Sequence, residues 1–442
     1  MLELLINTLK DFDGAEYLIK ESKTRRIENY SIKQESEMYR EVEVTQLLLT
    51  LYVTFSETDE KGEVIKYRGS YNTEIHPGTS DDELRDIIGQ GLFAAGFVKN
   101  AWYPLVTASA PAGAPGETGA FDEMKALKEL QAAFYACDCH TSGHISYSEF
   151  FLTVEDIRII NSSGVDVAYT ANNAYVETAI HWRNESGGET ETSEAFRFSL
   201  PADTSAACEM IKERVGRIFT IAAEKSVAQR TPQAEDINIL LTGECLADFF
   251  NYYWACANAQ MIYQQLSTFE AGEQVQGGAD DVCDRLTLTL EPLMEGSSHS
   301  RPYDDDGMGV APHKIINNGK LLKYWGNTRF SNYLGIPPTG TINNYHVTGG
   351  TASSEELRQA PYLELVSFSA FQVNPITGDF GSEIRLGFYF DGETTIPVTG
   401  GSITGNMANV HDSMRMSLEE RQYNNYRGPA TVSFRGASIS GK

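Results

Sequence analysis

Nowhere in the 442 residues is there a run of roughly 18 uncharged apolar residues, the least that a helix needs to cross a bilayer, so no membrane span is expected. Positive charge is also scarce. Lysine and arginine number 35 against 61 aspartates and glutamates, a net charge of −26, and a field of that sign repels phosphate backbones and anionic head groups. No Lys/Arg run interleaved with aromatics offsets it, so no direct nucleic-acid partner is expected, and a cationic peptide or protein suits the field better. Acidity that serves solubility alone accounts for the same balance. The six cysteines, at 137, 139, 208, 245, 256 and 283, follow no disulfide-framework spacing, which fits reduced thiols and a cytoplasmic location. No nucleophile elbow, P-loop or dinucleotide fingerprint occurs. The first residues, MLELLINTLKDFDG, place Leu2, Leu5, Ile6 and Leu9 on one helical face without a basic region before them, which reads as a surface helix rather than a targeting signal.

What is present is ample apolar and aromatic material for cores that need no covalent staples, in a chain long enough for two or three domains. Residues 16–32 and 38–55 read as strands, the second with Leu47, Leu49, Leu51, Val53 and Phe55 alternating down one face. Val64 to His76 reads as a returning strand. A helix follows, capped by Thr79 or Ser80, with Asp81, Asp82 and Glu83 suiting the positive end of its dipole. The proline- and glycine-rich stretch from Ala108 to Gly119 is expected to be a loop, and a helix ends near Tyr135. Strands are expected over His144–Val154, Val165–Arg183 and Ala195–Leu200. They lead into a helix from Thr204 with Cys208, Ile211, Val215, Ile218, Phe219 and Ala222 on one face. Beyond it the texture changes to one long helix beginning near Gly243 and then short strands between Gly, Pro and Asn turns. The expected architecture is α+β: an N-terminal α/β sheet-and-helix region over 1–230, with a split into two units near 100–120 left open, and a β-rich, barrel-like domain over 231–442.

The helix near Gly243 carries two carboxylates, Glu244 and Asp248, four residues apart and therefore on one face. Leu246, Phe250, Tyr253 and Ala257 gather on the opposite side, so the pair is expected on a solvated or cavity-lining face, where replacement by alanine would cost no more than about 0.5 kcal/mol. A second cluster, CDCHTSGH, puts Cys137, Cys139, His140 and His144 within reach of one another, all of them residue types that ligate zinc. Its Cys-x-Cys spacing aims the two thiols apart, which favours buried thiols and a strand-entry histidine over a metal site. His181 shares a strand face with Glu177 and Arg183 and reads as an exposed sheet-face residue.

The C-terminal half carries DDDGMGVAPHKIINNGKLLKYWGNTRFSNYLG (304–335), NPITGDF (374–380) and SITGNM (402–407), preceded by GEQV (272–275) and DRLTL (284–288). In order and spacing these blocks resemble the TldD/PmbA family, also known as modulators of DNA gyrase; the N-terminal half matches more loosely. The resemblance implies an α/β N-terminal region and a β-rich C-terminal domain. It also implies paired subunits in the cytosol that process small peptides and degrade unfolded ones. One is a TldD-type metalloprotease bearing an H-E-x-x-x-H helix and a later cysteine as zinc ligands; the other is a TldE/PmbA-type partner without them.

Against that helix this chain offers GECLAD, so Gly243 and Asp248 stand where the two histidines would be and only Glu244 is retained. No cysteine follows Cys283. The resemblance therefore implies a non-catalytic subunit with no metal or other cofactor of its own, in a homo- or heterodimer with a TldD-type metalloprotease and a peptide as substrate. Two other readings compete with it. One is an autonomous metal-dependent peptidase using Glu244 and Asp248 with His313 or His346; the other is an inhibitor or modulator that binds another protein such as gyrase.

Overall fold

The computed structural model describes residues 1–111, 113, 122–201, 203–235, 237–277, 283–358 and 361–441. Its N-terminal part is built on six long antiparallel strands: β1 (Glu16–Ile32), β2 (Glu35–Thr58), β3 (Val64–Glu74), β4 (Gly143–Asn161), β5 (Asp166–Arg183) and β6 (Glu189–Phe198). Their order in the sheet is β3-β2-β1-β4-β5-β6. Strands from both sides of residues 100–120 thus share one sheet, joined where β1 runs beside β4 from Leu18↔Asn161 to Ile32↔Tyr147. Of the loop expected over 108–119, residues 112 and 114–119 lie outside the described residues.

Four helices cover one face of this sheet, and strand parity decides which residues they meet. Helices α1 (Leu2–Leu9) and α2 (Asp81–Ala95) pack on Ile19, Leu47, Leu49 and Leu51, the alternation legible in β2. Helices α3 (Glu123–Tyr135) and α4 (Ser205–Val227) pack on Phe150, Leu152, Val176 and Phe196. Ser80 caps α2 in a reciprocal capping box with Glu83. The opposite parity, Ile157 and Ile159 with Val165 and Tyr169, packs against Tyr303 and Met308 from the second half of the chain. The Asp304 carboxylate shapes that loop by accepting the backbone N–H groups of Asp306 (3.0 Å) and Met308 (2.9 Å).

Two strands differ from expectation. β4 runs on to Asn161 past Glu155 and Asp156, adjacent residues on opposite faces that interrupt the apolar alternation between buried Val154 and Ile157. β6 starts at Glu189 and stops at Phe198, because the Asn172 side chain takes both backbone groups of Leu200, donating to its carbonyl (2.9 Å) and accepting from its N–H (2.7 Å).

The second half is β-rich, with a six-stranded sheet and an eleven-stranded one curled into a half-barrel. Between them lies α5 (Cys245–Cys256), whose Leu246, Phe249, Phe250 and Tyr253 are fully buried in one core with residues of both sheets. Phe249 stacks on Phe434 (5.5 Å between ring centroids) and Phe250 on Tyr426 (5.7 Å). The single long helix expected here is two. Asn258 takes an extended conformation and caps a second short helix, Ala259–Tyr263, while Trp325 bonds both Ala257 and Ala259 across the break.

Phe219 of α4 is 1% exposed, and the His140 ring packs on it at 4.4 Å between centroids. Phe219→Ala should therefore lower the unfolding free energy by about 3–5 kcal/mol, read from denaturant titration.

Candidate functional site

The turn between the strand Asn238–Thr242 and α5 places the three positions singled out in the sequence. Gly243 precedes the helix with φ +90°, a left-handed backbone that side-chain-bearing residues rarely adopt. A β-carbon built on it would lie 2.3 Å from the Arg217 guanidinium. Glu244 is the N-cap, and its carboxylate pairs with Arg214. Asp248 follows one turn later, and Tyr345, beneath it, donates to the Ala247 carbonyl at 2.5 Å.

Both arginines come from α4, Arg214 at the edge of its apolar stripe between Ile211 and Ile218 and Arg217 farther round, so the helix that covers the N-terminal sheet also reaches the start of α5. Arg214 is mostly buried, with 13% of its side chain exposed, between the rings of Phe196 (5.1 Å) and Tyr423 (5.4 Å). Burial lowers its pKa, as expected for a guanidinium taken out of water. Arg217 donates to the Val366 carbonyl at 3.2 Å. Glu194 lies in the same neighbourhood, its pKa raised by burial against the opposing pull of Arg217 and Arg214.

This corrects the expectation for Glu244. It does not stand free but pairs with a mostly buried arginine, on which the charges of Glu194 and Glu213 also act. Asp248 fits the expected cavity-lining face better. It has an exposed side, yet the surrounding protein desolvates its carboxyl and pushes it up to about 6. The arginines themselves gave no signal in the sequence, because two cations at i and i+3 on a helix read as an ordinary solvated face.

The other candidates stay apart. The Cys137 thiol donates to the Ala133 carbonyl (3.7 Å), Cys139 is exposed, His140 packs on Phe219, and His144 lies against His181 (5.1 Å between centroids). His181 sits on the sheet face with Glu189 at 3.7 Å. His313 contacts Lys323, and His346 bridges Glu291 and Glu420. No three His, Cys, Asp or Glu side chains gather to hold a metal among the described residues.

Residues 234–441 match the PmbA/TldA metallopeptidase C-terminal domain. They are a PmbA/TldD-family domain. The chain is 22% identical over 315 residues to a metalloprotease PmbA homolog of Haemophilus influenzae, an alignment covering 65% of this chain and 66% of that protein, just under two thirds of its length. In three dimensions it is similar to TldE from Thermococcus kodakarensis (TM-score 0.77, 16% identity, all of both chains). It is also similar to a protein of Thermotoga maritima described as a candidate modulator of a DNA gyrase (TM-score 0.78, 15% identity, all of both chains). At these identities the two structures establish a shared fold. A PmbA/TldD-family metallopeptidase implies a metal, and the residues here do not fit one. Position 243 has neither a side chain nor room for one, Glu244 is held by a cation, and two guanidinium groups repel a third positive charge.

Gly243→Ala should cost about 1–3 kcal/mol through backbone strain and displacement of Arg217. Glu244→Ala should cost about 1–2 kcal/mol, less than for a fully buried pair because the carboxylate is partly exposed, and Glu244→Gln less again; chemical denaturation measures all three.

Asp248 makes a separate prediction about pH. Its unfolded carboxyl titrates at the ordinary 3.8 and its folded one at about 6, so between these values the folded state holds the extra proton and its stability falls as pH rises. Asp248→Asn should therefore gain on the wild type between about pH 4.5 and pH 7, measured as the difference between their denaturation midpoints.

Proposed function

We propose that this chain is the non-catalytic, TldE/PmbA-type subunit of a cytoplasmic metalloprotease complex in which a TldD-type subunit carries the metal and cleaves small or unfolded peptides. The observation that carries this reading is the start of α5: a left-handed glycine, with an arginine filling the space, where the family's first histidine would project. Glu244 is then a structural counter-ion and Asp248 a remnant of the histidine helix, and neither serves as a catalytic group. The division into 1–230 and 231–442 belongs to the same proposal. The β-rich part would help to enclose the peptide, since strand edges hold extended chains through main-chain hydrogen bonds irrespective of sequence. An acidic surface suits a cationic substrate.

Co-expression with a TldD-type protein should yield a dimer burying more than about 1,000 Å². That complex should cleave peptides, while the isolated chain should contain no stoichiometric zinc by elemental analysis and cleave nothing. Glu244→Gln in this chain should leave the activity of the complex nearly intact. Peptide cleavage by the isolated chain that disappears with Glu244→Gln would overturn the proposal in favour of an autonomous peptidase.

A further inference from the structure

A cavity of about 690 Å³ lies where the end of β6 and the start of α4 meet the loop 293–300 of the second half. This is the size at which proteins take small organic ligands. Its walls are stitched together across the two halves: the Ser199 N–H donates to the Gly296 carbonyl at 2.9 Å. Much of the lining is apolar, including Phe198, Leu200, Pro201, Met210, Leu293 and Met294.

Several polar groups on the lining are already engaged by the protein. Asn172 is bonded to Leu200, Ser297 donates to Asn344 (2.7 Å), Ser300 to the Met294 carbonyl (2.6 Å), and Gln422 to the Glu295 carbonyl (2.8 Å). Arg214 lines the cavity too, but Glu244 takes its charge. Arg197 differs. Its guanidinium lies over the Tyr175 ring at 4.5 Å and forms no ion pair among the described residues, although acids outnumber bases in this chain by 26. Nearby His299 has its pKa lowered by burial first and then by the charges of Arg301 and Arg197. The lining holds one carboxylate, the exposed Glu295.

We propose that this cavity binds the C-terminal end of a peptide, with the free carboxylate on Arg197 and a large apolar last side chain against Phe198, Leu200 and Met210. The assignment rests on the peptide-handling reading above and adds a substrate class to it. An unpaired guanidinium at the mouth of an apolar cavity complements a carboxylate joined directly to an apolar group, because the planar fork binds both carboxylate oxygens while the side chain leaves water. A peptide C-terminus and a free apolar amino acid share that chemistry. The peptide is favoured because the cavity is larger than one side chain needs.

Isothermal titration calorimetry of the full chain, without any partner subunit, tests this with three ligands: acetyl-Ala-Leu-Phe with a free carboxylate, the same peptide as its C-terminal amide, and free phenylalanine. The acid should bind at least about tenfold more tightly than the amide, as expected when one charge-assisted pair is lost, and at least about tenfold more tightly than phenylalanine, which lacks the preceding residues that fill the cavity. Arg197→Gln should abolish the preference for acid over amide. Ala206→Trp, on an exposed lining position, should block binding by filling the cavity while leaving the thermal midpoint unchanged. Equal binding of acid and amide, retention of the preference in Arg197→Gln, or no binding at millimolar peptide would each overturn the proposal. Phenylalanine binding as tightly as the peptide would replace it with a free amino-acid site. Because binding is read on this chain alone, its failure leaves the subunit reading standing, and failure to pair with a TldD-type protein leaves the binding result standing.

Discussion

An aromatic helix enclosed by two sheets is the constraint on which the second half of this protein depends. Burying Phe249, Phe250 and Tyr253 together removes a large apolar area from water and fixes where both sheets must pack. Such a helix still carries a charge at its first turn, and the Glu244 carboxylate must be met by something outside the core. Here that something is a second helix, α4, whose apolar face belongs to the N-terminal sheet and whose arginines reach the start of α5. The ion pair of Arg214 with Glu244 is therefore also a tie between the two halves of the chain.

That tie accounts for the chemistry at this spot. Two buried or half-buried guanidinium groups stand here against Glu244 and Glu194, so the charges at this spot are matched within the protein. The same region keeps Glu194 and Asp248 partly desolvated, and that desolvation raises their carboxyls above the usual range. Perturbed acids mark functional sites in many proteins, yet ion-pair networks at the junction of two packed halves perturb them equally well.

Much of this was legible in the sequence. The alternation of Leu47, Leu49 and Leu51 placed β2 correctly, and the 3.6-residue spacing of Ile211, Val215, Ile218 and Phe219 gave the buried stripe of α4, because periodic burial is written directly into side-chain order. The stripe of α5 was equally plain. Its interruption after Cys256 was hidden, since a capping asparagine and two bonds from a tryptophan nearly seventy residues away leave no local trace. The extent of β4 was obscured by the adjacent charges of Glu155 and Asp156, one on each face, which break its apolar alternation. Hardest to read was the partner of Glu244: an ion pair between residues 30 apart in the chain depends on how two helices cross, which no spacing rule encodes. The cavity beside Arg197 escaped for a related reason, because its walls are drawn from segments more than 200 residues apart.

The geometry at Gly243 also bears on how such a chain can change over generations. A left-handed backbone filled by a neighbour's guanidinium admits no side chain by a single substitution, since the new residue meets both the strained dihedral and Arg217. A side chain able to hold a metal at this position would need the turn, the arginine and the new residue to alter together, with the intermediates less stable than the present arrangement. Glycine at 243 thus works as a lock: the backbone and the Arg217 guanidinium hold this position to the one residue that has no side chain.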